Sequence, residues 1–225
     1  MVLLLSALAP VAAVIIYVYV KDKYEKESKR YLTLAFVLGG IVSIIITTIL
    51  YMFFDLFLPL PDDYSIWQQF VKAFFVVGFI EEFSKYIMVR GFLQPRKVFN
   101  EPYDGIIYAV MVSMGFAAVE NIMYVLQGGM NVALLRAFTA IPAHATFGII
   151  MGYYMGKAKF SQNRHLWNLV GLFTAVLFHG AYDFFLFIGF IPGISLGAFV
   201  SLIVGIILSK RAIKAHQDIS HFKEL

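Results

Sequence analysis

The sequence predicts an all-α protein that crosses a membrane several times, and three observations lead to this class. Of the 225 residues, 60% are hydrophobic and only 14% are charged, whereas soluble domains average about 25% charged residues. The mean hydropathy is +0.79. The apolar residues also gather in runs of about 20, the length that crosses ~30 Å of hydrocarbon. We therefore expect one transmembrane domain over residues 1–225.

Seven apolar runs are expected to span the membrane as a helical bundle. They lie at about 2–20, 32–58, 66–89, 104–126, 132–156, 166–188 and 194–209. The first run has no basic stretch before it and is longer than the roughly 7–15 apolar residues of a signal peptide, so we expect it to be retained. The second is longer than a span needs and is expected to tilt or protrude. Turn residues (Pro, Gly, Asp and Asn) separate the later runs at 58–65 and 127–131.

The distribution of Lys and Arg predicts the orientation of the bundle. The loops 21–31, 90–103 and 157–165 and the tail 210–225 carry 5, 3, 3 and 4 of these residues, which is 15 of the 18. The loops 59–65, 127–131 and 189–193 carry none. Because basic residues accumulate on the cytoplasmic side, we expect the N-terminus outside and the C-terminus inside. We expect the chain to be surrounded by a lipid bilayer and to bind no nucleic acid.

Polar side chains occur inside four consecutive runs, where a centrally placed charge costs about 2.5–3.5 kcal/mol. They are Glu81, Glu82 and Lys85 in the third run, Glu120 and Asn121 in the fourth, His144 in the fifth, and His179 and Asp183 in the sixth. Cysteine is absent from the chain, which excludes disulfides and thiolate sites. One ion pair alone would be consistent with a purely structural role. A second adjacent carboxylate and two histidines favour a functional site instead.

Helical spacing predicts which of these groups meet. Residues three and four apart share a helix face, so Lys85 should reach both Glu81 and Glu82. Asp183 lies one turn beyond His179 and should accept a ring N–H, which would fix the imidazole tautomer. These two pairings place acid and base groups on defined faces of the third and sixth helices.

The fifth run is expected to face protein rather than lipid. His144 begins a row of small residues at four-residue steps, namely Gly148, Gly152 and Gly156, which would let a neighbouring helix approach closely. Pro142 removes a backbone hydrogen bond and is expected to kink this run. Lys72 and Arg136 lie near the outer ends of their runs and are expected to snorkel towards water.

Four motifs in order along the chain resemble those of the PrsW family. They are "EEFSK" (EExxK), "FAAVEN" (FxxxEN), "HATFG" (HxxxG) and "HGAYD" (HxxYD), with "YDG" at 103–105 opening the fourth run. The resemblance extends from "KDKYE" after the first run to "HGAYD" in the sixth. This family resembles the CAAX prenyl endopeptidases and bacteriocin-immunity-like membrane proteins. The CAAX enzymes have an Arg and a FxxxH motif near the places where Lys85 and Glu120 stand here.

The resemblance implies a protease of the bacterial plasma membrane. Members of the PrsW family make the first cut, at site 1, in certain anti-sigma factors during stress responses. The implied partner is therefore a single-pass membrane protein. The resemblance predicts the residues of the site more specifically than it predicts the substrate.

The polar residues allow more than one chemistry. The favoured hypothesis needs no cofactor. In it, Glu81 or Glu82 is the base that activates water, and His144 and His179 hold the water or polarise the carbonyl. Asp183 would orient His179, Asn121 would donate to the oxyanion, and Glu120 has no assigned role. Alternatively, His144, His179 and a glutamate would bind zinc. A proton- or ion-coupled transporter and a non-catalytic scaffold or chaperone are further alternatives, which a cleavage assay separates.

Overall fold

The computed structural model describes residues 1–224, and the regular elements in that range are all helical. The long helices are α1 (Val2–Lys21), α2 (Lys29–Phe57), α3 (66–93), α4 (Tyr103–Phe138), α5 (Ala140–Lys159), α6 (Arg164–Phe187) and α7 (Leu196–Asp218), followed by a short 3-10 turn (His221–Glu224). Helix α2 contains a π-helical stretch at Leu38–Ser43, and α3 contains two, at Lys72–Gly78 and Val89–Leu93. The prediction of an all-helical protein is confirmed.

Within residues 1–224, five segments are long and apolar enough to cross a membrane. They are Val2–Lys21, Lys29–Phe57, Tyr103–Lys159, Arg164–Phe187 and Leu196–Asp218. The segment Tyr103–Lys159 contains both α4 and α5, which the sequence assigns to two spans. Helix α3 is not among the five, since Glu81, Glu82 and Lys85 interrupt its apolar character. The number of seven spans stays a prediction, as does the orientation with the N-terminus outside and the C-terminus inside.

The junction of α4 and α5 differs from the prediction. The chain leaves helical geometry at Gly129, with φ 72° and ψ −160°, and the helix resumes at once and continues to Phe138. A second break at Thr139 precedes α5. Residues 132–138 therefore belong to a short helical segment after Gly129 and not to the fifth span. The run 132–156 is thus broken at Thr139, within one turn before Pro142, as the predicted kink requires. Pro142 itself lies in the first turn of α5, where its missing N–H has no helical partner to lose.

Glycines bring α5 against α4, as the sequence predicts. A Cβ atom on Gly152 would lie 2.3 Å from the carbonyl oxygen of Gly105, and one on Gly156 would lie 2.0 Å from that of Pro102. Neither distance is compatible with a larger side chain. The row that His144 begins therefore faces α4, which is the most buried helix of the bundle.

The C-terminal half of α2 (Ile44–Phe57) is the least embedded part of the bundle. Thr47 is its one buried residue, while Ile49 and Phe53 are exposed. This half packs mainly against α3. A space consequently remains between it and helices α4, α5 and α6.

Candidate active site

A cavity of about 620 Å³ fills the space between α2, α3, α4, α5 and α6. Among the polar residues singled out from the sequence, those that line it are Glu81, Glu120, His144, His179 and Asp183. Glu82, Lys85 and Asn121 belong to the same network but lie behind the wall, where each is at most 1% exposed. The structure thus brings together side chains from four consecutive helices.

Glu81 is the glutamate of the motif that faces the cavity. Its Oε1 accepts a hydrogen bond of 2.9 Å from the hydroxyl of Tyr51 on α2. Its Oε2 lies 3.5 Å from Nζ of Lys85 and 4.0 Å from Nε2 of His179. One carboxylate oxygen is therefore held by a neutral donor, and the other faces the basic groups.

Glu82 is buried behind Glu81 and is fully enclosed. Its Oε1 accepts from Nζ of Lys85 at 2.7 Å and lies 2.9 Å from Nδ1 of His179. Its Oε2 is buried and, among the described residues, has no hydrogen-bond partner. The two adjacent glutamates, which the sequence treats alike, consequently occupy different environments.

His179 is held between two carboxylates and an aromatic ring. Nδ1 faces Glu82, and Nε2 lies 3.3 Å from Oδ2 of Asp183. The predicted proximity of His179 and Asp183 is confirmed. The ring of Phe147 stacks on the imidazole, with centroids 4.8 Å apart and planes 18° apart. This packing fixes the plane of the imidazole at the cavity wall.

His144 connects α3 to α4. Its Nδ1 lies 3.3 Å from Nζ of Lys85, and its Nε2 lies 2.9 Å from Oε2 of Glu120. Its ring stands nearly perpendicular to that of His179, at 89° and 5.5 Å between centroids. Because Lys85 has no lone pair to accept a proton, its contact with Nδ1 favours an N–H on Nε2 that donates to Glu120.

Glu120 and Asn121 are joined to the segment after Gly129 by Arg136. The guanidinium donates to Oε2 of Glu120 at 2.6 Å and to Oδ1 of Asn121 at 2.7 Å. Its centre lies 4.2 Å from the ring centroid of Tyr124. The predicted snorkelling of Arg136 is therefore wrong, because the half-buried carboxylate of Glu120 and the buried amide of Asn121 hold it in the cavity wall.

Asn121 does not reach the cavity. Its amide nitrogen donates to the backbone carbonyl of Ala7 at 2.7 Å, and its oxygen accepts from Arg136. These contacts turn the amide towards α1. The structure thus places the residue where it supports Arg136 and not where a substrate carbonyl would lie.

Three cavity residues could hold a metal ion. One ligand atom from each of Glu81, His144 and His179 lies within 4.8 Å of the others. Two imidazoles and one carboxylate match the ligand set of catalytic zinc sites. Each imidazole also contacts a second carboxylate, Glu120 or Glu82, as metal-bound histidines commonly do. The types and number of side chains fit a metal.

Sequence reasoning missed Tyr51 and gave Arg136 no role in the site. Tyr51 lies on the exposed half of α2, and a tyrosine near the end of an apolar run is typical of a membrane interface. Arg136 lies at the outer end of its predicted run. The one signal for it was an arginine close in sequence to the buried acid Glu120.

Acidic and imidazole side chains around a cavity inside an apolar bundle define a polytopic membrane hydrolase. The chain belongs to the PrsW family, since the model described as "PrsW family intramembrane metalloprotease" matches residues 27–209. It is 38% identical over 185 residues to Protease PrsW of Shouchella clausii, covering 82% of this chain and 83% of the relative. It is 36% identical over 183 residues to Protease PrsW of Bacillus subtilis, covering 80% and 81%.

A third relative leads to the same assignment. Protease PrsW of Halalkalibacterium halodurans is 35% identical over 182 residues, covering 80% of this chain and 81% of the relative. No solved structure matches the chain. The protein is thus a multi-pass membrane protease of the bacterial cell membrane. Its relation to the CAAX endopeptidases stays a prediction.

Proposed function

We propose that the chain is an endopeptidase that makes the first cut in a single-pass anti-sigma factor, with Glu81 as the base that activates water. The observation that carries this proposal is the convergence of Glu81, His144 and His179 at the wall of one cavity, with their ligand atoms within 4.8 Å of one another. Peptide hydrolysis needs a base for water and an acid for the leaving amine. Glu81 and the two imidazoles provide these groups.

Glu81 is preferred over Glu82 as the base because of its position. Glu81 lines the cavity, and its Oε2 faces the histidines. Glu82 is enclosed, and its Oε1 contacts both Lys85 and His179. Glu82 therefore positions these two groups without touching substrate. In this mechanism Glu81 takes a proton from water and passes it to the leaving amine. The imidazole of His179, whose Nε2 lies beside Glu81 and Asp183, donates an N–H to the oxyanion.

The metal-dependent form of the reaction is the second candidate, favoured by the ligand set of Glu81, His144 and His179. A metal bound there would polarise the carbonyl and lower the pKa of bound water. Against it stands Lys85, whose ammonium lies 3.5 Å from Glu81 and 3.3 Å from His144. This ammonium already contacts two of the three ligands and would compete with a cation for them.

The cavity lies towards the end of the bundle at which the loop 58–65 is found. Lys72 near the start of α3, Thr139 before α5 and Phe187 at the end of α6 all line it. The absence of Lys and Arg from the loops 59–65 and 189–193 predicts that this end is extracytoplasmic. A cut made there would release the outer part of a single-pass substrate, as a site-1 protease does.

Co-expression with a single-pass anti-sigma factor of the same bacterium tests the proposal. The wild-type chain should cut this reporter, and Glu81→Gln should remain in the membrane but lose nearly all cleavage, because an amide cannot take a proton. Asp63→Asn is the matched control, since Asp63 is an exposed acid. Normal cleavage by Glu81→Gln would exclude Glu81 as the base. An uncut reporter with the wild-type chain would exclude this substrate class.

A further inference from the structure

A second cavity adjoins the catalytic one at the outer end of the bundle. It has a volume of about 470 Å³ and is lined by residues of α2 and α3 and of the loop between them, among them Asp55, Leu58, Leu60 and Val76. We call it the outer groove. It shares Tyr51, Lys72 and Val77 with the catalytic cavity, so these three side chains form a common wall.

The outer groove borders the hydrogen-bond partner of the catalytic base. Tyr51 lines both cavities, and its hydroxyl donates to Oε1 of Glu81 at 2.9 Å. A chain lying in the groove would therefore contact the tyrosine that holds the carboxylate that activates water. The other end of the groove, at Leu58 and Leu60, lies in the segment that joins α2 to α3.

We propose that the outer groove binds the extended segment of the substrate on the outer side of the scissile bond, a statement that rests on the proposed function. The groove adjoins the catalytic cavity along three shared residues, one of which bonds to Glu81, and this position is the reason for choosing this occupant. Its walls are mostly apolar, with Asp55 and Lys72 as the charged residues. The segment it fits is thus an extended, mainly apolar peptide.

The lack of cysteine in the chain makes the proposal directly testable. Single cysteines are introduced as Val77→Cys and Leu58→Cys in the Glu81→Gln background, where the reporter stays uncut. Each variant is oxidised with reporters that carry one cysteine at successive positions around the cut. A disulfide forms only where Cα atoms approach to about 4.4–6.8 Å. Matched controls are Phe75→Cys and Phe57→Cys, which lie one or two residues away and are exposed.

The expected result is a shift in cross-linking along the substrate. Val77→Cys should cross-link within one or two residues of the cut, and Leu58→Cys at reporter positions further out, each at least tenfold above its control. Equal cross-linking of test and control variants, or cross-links that do not move along the reporter, would overturn the proposal. Because cleavage by the wild-type chain is measured separately, that outcome would leave the protease assignment intact.

Discussion

The ammonium of Lys85 lies 2.7 Å from Oε1 of Glu82, and both side chains are enclosed behind the catalytic cavity. Breaking a buried ion pair leaves an uncompensated charge and costs about 3–5 kcal/mol. Glu82→Gln should therefore lower the thermal midpoint and the amount of protein in the membrane, whereas Glu81→Gln should change them little. The control is Asp63→Asn, which removes the exposed Asp63–Lys72 pair and should cost at most about 1 kcal/mol. Wild-type stability of Glu82→Gln would contradict this role.

Much of the fold and the site follows from the sequence, since charges within apolar runs are rare and each demands a partner. The spacing of Lys85 to Glu82 and of His179 to Asp183 predicts contacts within one helix, and the structure contains both. Tyr51 could not be predicted because its partner Glu81 lies on another helix, and helical spacing says nothing about contacts between helices.

The depth of Glu120 could not be predicted either. Counting from the inner ends of uninterrupted helices places it about 10 Å deeper than Glu81. The imidazole of His144 spans the gap, with Lys85 on one nitrogen and Glu120 on the other. Two π-helical stretches in α3 change the rise and the facing of its residues. The composition of these stretches does not predict that they are π-helical.

Arg136 should prove necessary for efficient turnover, because it holds the carboxylate that contacts His144. Removing a partner that orients a catalytic or metal-binding group typically costs about 10–100-fold. Arg136→Gln should lower kcat/KM by that factor, and Arg136→Lys should recover part of it through Glu120. Lys97→Gln is the control, since Lys97 is exposed and lies in the loop after α3, outside the wall of the cavity. Unchanged kinetics in Arg136→Gln would mean that the contact is structural only.

Asp183 should matter less than His179, the residue it orients. Asp183→Asn keeps the imidazole in place but weakens the contact at Nε2, so a loss of about 10–100-fold is expected. His179→Ala deletes the imidazole and should reduce cleavage to background. The measurement is the initial rate of reporter cleavage at matched protein levels. Full activity in Asp183→Asn would show that this pair does not orient the imidazole for catalysis.

Asp22, outside the spans, should make stability depend on pH. Burial raises its pKa to about 7, although the backbone N–H of Glu27 and the charge of Lys26 oppose the rise. A carboxyl whose pKa is raised on folding favours the protonated fold, so stability falls as pH rises from about 4 to about 7. Asp22→Asn should raise the thermal midpoint at pH 8 and flatten its dependence on pH. The exposed Asp62 provides the control variant, Asp62→Asn, which should leave the slope unchanged.

Cleavage is expected to survive removal of metal ions. The ammonium of Lys85 contacts both Glu81 and His144 and therefore competes with a cation for two of the three ligands. Purified protein should consequently contain far less than one zinc per chain and keep its activity after dialysis against a chelator. Metal content is also measured in His144→Ala and His179→Ala. Both mechanisms predict that these variants are inactive, so loss of activity alone would not separate the two mechanisms. One zinc per chain, lost together with activity and absent from both variants, would identify Glu81, His144 and His179 as ligands and overturn the metal-free mechanism.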